Sequence, residues 1–82
     1  MNANRFQVRL IMIPPGSERP YHAAEWHDAL IRLERGSVEL YSTNGCRLRL
    51  STGAILSLDR LALRTIRNHC PTAAVLSLFR RG

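Results

Sequence analysis

The 82-residue sequence has no lysine; all 12 of its Lys/Arg positions are arginine. Arginine is a planar fork that meets carboxylates and phosphates bidentately, whereas lysine is a mobile point charge. Acidic residues number only 6, leaving a net charge of +6, which suits an anionic partner. The arginines are scattered rather than grouped in a basic run. That favours solvated faces and argues against nucleic acid as the partner. A nucleic-acid module clusters aromatics with arginines on one face; Arg47 and Arg49 share a face with Tyr41 across from Arg47, but Glu39 opposes Arg49, which indicates cross-strand ion pairing instead. Cysteine is scarce as well. Cys46 and Cys70 make neither a CxxC pair nor a disulfide framework, which excludes a Cys-rich zinc module and a disulfide scaffold. Two reduced thiols and a cytoplasmic location are expected. No apolar run approaches the length of a membrane span; residues 10–13, LIMI, are far too short, and no signal peptide is visible. A glycine-rich phosphate loop and a catalytic triad are also missing. Ser57 and Ser77 fall in apolar segments, and His69 beside Cys70 points away from it in an extended chain.

What is present is aliphatic. Apolar residues reach 45%, which excludes disorder. The chain reads as one domain over residues 1–82. A chain of this size buries only about 60% of the surface that its unfolded form exposes. A second copy adds buried area, so a homodimer is expected.

The pattern is that of short strands between turn signals. Residues 5–13 alternate, with Phe6, Val8, Leu10 and Met12 on one face, and Pro14-Pro15-Gly16 closes the run. Residues 26–34 form the next strand, and the region 17–25 holds a turn. Residues 37–50 form a hairpin with two candidate loops. A two-residue loop, Asn44-Gly45, sets Leu40 opposite Arg49. A three-residue loop, Thr43-Asn44-Gly45, sets Leu40 opposite Leu48, Val38 opposite Leu50 and Glu39 opposite Arg49. Only the second keeps apolar residues on one face, so it is selected, with Gly45 left-handed. Strands over 52–59, 61–68 and 73–81 follow, and residues 69–72 form a turn. No segment has helical periodicity. Seven or eight strands in so short a chain indicate an all-β, closed or nearly closed structure.

Two spaced motifs sharpen this. Gly16, His22, Ala24, Ala29 and Gly36 have the spacing of one motif; Gly53, Asp59, Leu61, Arg64 and Asn68 have that of a second. On these spacings the chain resembles the cupin superfamily, over residues 6 to 80. The resemblance implies a jelly-roll β-barrel or sandwich. In cupins, three histidines and a glutamate hold a metal; the matching positions here are His22, Ala24, Ala29 and Arg64. Methyl groups offer no lone pair, and a guanidinium has no acceptor atom. Neither a metal nor another cofactor is therefore expected. A displaced site of His22, His27 and a carboxylate is the less favoured alternative, with His27 sharing the strand parity of Ala29.

If the second motif aligns, Arg64 points into the barrel and needs an anion. Glu25, Asp28 or Glu34 could supply it internally. A bound carboxylate or phosphate is the other source. A one-residue slip would instead put Arg64 outside. Asn68 fixes the turn before Pro71. Tyr21 and Trp26 flank His22 and either stack on a planar ligand or cover the core; the covering role is preferred. The resulting expectation is a metal-free module for binding a small ligand, an anion in particular, or for dimeric interaction. Its candidate ligand-binding residues are His22, His27, Arg64 and Trp26. The alternative is a cupin-type enzyme, a dioxygenase, isomerase or lyase with a non-standard site and His22 as base.

Overall fold

Among the described residues, six strands nest around one hairpin. A computed structural model describes residues 6–59 and 61–81. The strands are β1 (Phe6–Ile13), β2 (Glu18–Pro20), β3 (Ala29–Arg35), β4 (Ser37–Ser42), β5 (Arg47–Ser51), β6 (Ile55–Ser57), β7 (Leu63–Arg67) and β8 (Ala74–Arg81), with one helical turn, α1 (Ala23–Trp26). The hairpin β4–β5 has the register Val38–Leu50, Glu39–Arg49 and Leu40–Leu48 that the alternation selects. Its loop is Thr43-Asn44-Gly45, closed by Ser42 N–H donating to the Cys46 carbonyl at 2.9 Å, and Gly45 has φ +89°. Only a residue without Cβ adopts that φ freely.

Around this hairpin, β3 pairs with β6, β2 with β7 and β1 with β8, all antiparallel. Further pairs, β3–β8 and β4–β7, join the strands into two four-stranded sheets, ordered β1-β8-β3-β6 and β2-β7-β4-β5. This is a long hairpin rolled over on itself, the jelly-roll arrangement. The core lies between the sheets: Ile11, Ile13, Ile31, Leu33, Leu76 and Leu78 from one layer meet Val38, Leu40, Leu50, Leu63 and Ile66 from the other. Leu58 and Trp26, each 0% exposed, fill the space from the connections.

Asn68 ties the layers together. Its Nδ2 donates to the carbonyls of Ile13 (3.0 Å) and Thr72 (2.8 Å), while its Oδ1 accepts from Cys70 N–H (2.9 Å). The side chain thus fixes both the turn before Pro71 and the end of β1.

Several expectations are corrected. Residues 17–25 hold more than a turn: Glu18–Pro20 pairs with β7 as an edge strand, where a proline costs no ladder bond. The strand expected from 26 starts at 29, because residues 23–26 wind into a single helical turn. The segment 52–59 is extended only over Ile55–Ser57. On β1, Val8, Leu10 and Met12 do share a face, but it is the outer one; Ile11 and Ile13 face the core. No helix among the described residues is long and apolar enough to cross a membrane.

Candidate ligand-binding site

The four positions that match a cupin's metal ligands differ in exposure and offer a single imidazole. His22 is the exposed N-cap of α1 and makes no side-chain capping bond. Ala24 is exposed on α1, and Ala29 is buried at the start of β3. Arg64 is exposed, against the inward position that motif spacing assigns it. The cause is a β-bulge. Tyr41 pairs with Thr65, but Ser42 pairs with Leu63. Arg64 is the extra residue of the bulge, which re-aims it outward while Leu63 stays in the core. One imidazole, two methyl groups and an outward guanidinium do not fit a metal.

The internal anions considered for Arg64 are committed elsewhere. Glu25 binds Arg19 at 2.5 Å and Arg9 at 3.6 Å. Asp28 lies 3.4 Å from His27. Glu34 accepts from the Ser77 hydroxyl and lies 3.7 Å from Arg32. Among the described residues no carboxylate stands within salt-bridge distance of Arg64. The guanidinium lines an open depression of about 320 Å³ with Glu18, Pro20, Tyr41, Thr65 and Arg67. Arg67 is already engaged there: it bonds Glu18 at 3.2 Å and lies 5.2 Å from the centre of the Tyr41 ring. The Arg67 hydrogen bond and charge hold the Glu18 carboxyl below its ordinary value. The same pair raises Arg67 above the usual guanidinium range.

His27 does not face the interior with Ala29. Its side chain is 72% exposed in the turn between α1 and β3, where strand parity does not apply. It sits between Asp28 and Asp59, 3.8 Å from the latter, and the three could supply one ligand atom each within 4.8 Å. All three are exposed, and His22 is not part of the group. Trp26 is wholly buried and stacks on Tyr21 with centroids 6.3 Å apart. Burial, and then the charge of Asp59, raises the Tyr21 hydroxyl above its ordinary pKa.

The outer face of the β4–β5 side carries a polar network that the sequence does not reveal. Glu39 stands opposite Arg49 in register, yet its carboxylate goes to His69 (2.9 Å) and to the Tyr41 hydroxyl (2.9 Å) instead of forming the cross-strand pair. Cys70 lies beside it, with Sγ 3.1 Å from the Ser37 hydroxyl. These groups edge a small hollow of about 90 Å³. Glu39 and His69 are thirty positions apart, so only the alternation of Glu39 and Tyr41 on one strand hints at the cluster.

Two layers in jelly-roll order, with turns at the motif glycines, define a cupin-like fold. Solved structures agree. A cupin domain from Bordetella pertussis Tohama I is similar over 100% of this chain and 86% of its own, with TM-score 0.69 and 19% identity. Protein NMB1881 from Neisseria meningitidis is similar over 100% of this chain and 79% of its own, with TM-score 0.69 and 14% identity. No protein-family model and no curated protein matches the sequence. At these identities the likeness establishes the fold.

Proposed function

We propose that the chain is a cupin-like interaction module that works as a homodimer, joined through the outer face of the β1-β8-β3-β6 sheet. The observation that carries this is where the exposed aliphatics lie. Val8 (58%), Leu10 (68%), Met12 (64%), Leu30 (52%) and Ile55 (62%) all project from that face. Cross-strand register places Val8 beside Phe79 and Leu30, and Leu10 beside Ser77, Arg32 and Ile55, so the patch is continuous. The opposite sheet presents Glu18, Arg67, Glu39 and Tyr41 instead.

Fully burying one such side chain contributes about 1.5–3 kcal/mol. Covering the exposed part of five contributes about 5–9 kcal/mol per protomer, or about 10–18 for a symmetric pair. Association costs about 4–15 kcal/mol, which most of this range matches or exceeds. The charges at its centre, Arg32 and Glu34, have opposite signs. Under a two-fold axis each can face the other's counterpart.

Light scattering after size exclusion tests this. Wild type is expected at twice the chain mass of 9.3 kDa. Leu10→Glu is expected at the monomer mass with unchanged circular dichroism. Leu48→Glu, at an exposed leucine on β5, is expected to stay dimeric. Monomeric wild type at all concentrations would overturn the proposal.

A second role, small-anion binding at Arg64, is favoured by its lack of a carboxylate partner among the described residues and by the depression it shares with Arg67 and Thr65. Phosphate or carboxylate titration of wild type and Arg64→Ala tests it; identical melting curves across the panel would sink it.

A further inference from the structure

Glu25 is met by more positive charge than one carboxylate neutralises. Arg19 and Arg9 reach its Oε2 at 2.5 and 3.6 Å, and Arg80 donates to its backbone carbonyl. The three arginines come from both layers and lie on the core side of their strands by register, with Arg9 62% exposed at the rim. Arg9 shares the parity of Ile11 and Ile13 on β1, Arg80 pairs with the buried Ala29, and Arg19 pairs with the buried Ile66. They converge on Glu25 of α1. Among the described residues, Glu25 is the carboxylate within reach of Arg9 and Arg19, and Arg80 meets its backbone carbonyl but no carboxylate.

The hydrogen bonding there is incomplete as well, with three donors and one acceptor unpaired. Arg19 Nε, Arg80 Nε and Trp26 Nε1 are buried without a partner among the described residues, as is Glu25 Oε1. Buried donors are nearly always satisfied, and an arginine fork that lacks an acceptor suits an oxyanion. Glu25 is 16% exposed in its side chain and sits on a helix of 4 residues.

We propose that Arg9, Arg19 and Arg80 form a binding site for a small dianion with paired oxygens, a phosphate or a short dicarboxylate, with Glu25 as the internal competitor that fills the arginine fork until the ligand arrives. The site is separate from the Arg64 depression and does not depend on the dimer.

Calorimetric titration with inorganic phosphate and, in a second arm, succinate, at constant ionic strength set by chloride, tests this. Wild type is expected to bind one anion per chain saturably in at least one arm, and the arm that binds identifies the ligand class. Glu25→Gln removes the competitor and is expected to tighten binding about tenfold. Arg19→Gln with Arg80→Gln is expected to abolish binding. Arg47→Gln with Arg49→Gln removes the same net charge from β5 and is expected to leave binding unchanged. Should the first double variant fail to fold, Arg9→Gln, at a side chain 62% exposed, replaces it and is expected to weaken binding. Three results would overturn the proposal: no saturable binding by folded wild type and Glu25→Gln, equal loss in the two double variants, or binding lost in Arg64→Gln alone.

Discussion

Asn68→Ala is the substitution whose cost can be worked most fully from the fold. The side chain is 1% exposed. It makes three well-formed bonds, to the carbonyls of Ile13 and Thr72 and from the N–H of Cys70. A hydrogen bond of this kind contributes about 1 kcal/mol net, and a buried group left without a partner costs about 1–3 kcal/mol. Truncation removes three bonds and strands groups at the end of β1 and in the 69–72 turn, so about 3–5 kcal/mol is expected. A chain of this size has about 4–12 kcal/mol of stability in all. With about 4–8 °C lost per kcal/mol in a domain of this size, the melting temperature should fall by about 12–40 °C in thermal circular dichroism. Asn68→Asp adds a sign test. It keeps the acceptor for Cys70 but turns a carboxylate toward two carbonyl oxygens, which raises the folded-state pKa of the new carboxyl. The protonated form is tolerated below the unfolded pKa, and stability is lost as pH rises through the folded one. Relative to wild type at each pH, this variant should therefore be least impaired in acid. A fall of under about 5 °C for Asn68→Ala, or a variant Asp least stable in acid, would refute the tethering role.

Other outcomes follow from single contacts. Glu18 has a depressed pKa because of Arg67, so its contribution is present above the unfolded value and is lost as pH falls through the folded one. In an NMR pH titration, Arg67→Gln should move the Glu18 midpoint up toward its ordinary value of 4.5. Trp26→Ala empties a fully buried site and should cost about 3–5 kcal/mol in urea denaturation. Gly36→Ala places a Cβ 3.2 Å from the Ala73 carbonyl at φ +84° and should cost about 1–3 kcal/mol by the same assay.

How far the sequence carries depends on whether a feature is local. The β4–β5 register was legible because alternation and an Asn-Gly turn act within a few residues and allow one answer. The jelly-roll order was reached only through motif spacing, since nothing local says which strands pair across the molecule. The face of β1 was harder still: its outer set, Val8, Leu10 and Met12, is as apolar as the inner pair, Ile11 and Ile13, so hydrophobicity does not separate core from surface. Arg64 shows the same limit at the site. Its direction is set by a bulge against β4, a consequence of tertiary register that motif spacing does not encode. His27 followed strand parity into a segment that is a turn. The arginines around Glu25 are brought together from positions 9, 19 and 80, and no window of sequence contains them.

The proposed association of two copies through the outer sheet face is tested residue by residue by methyl NMR signals on dilution, from about 1 mM to about 1 µM. The methyl resonances of Val8, Leu10, Met12, Leu30 and Ile55 should shift together as the dimer dissociates, while those of Leu48 stay fixed. Signals that do not move over the whole range, or that move only on the β4–β5 side, would contradict a dimer built on this face.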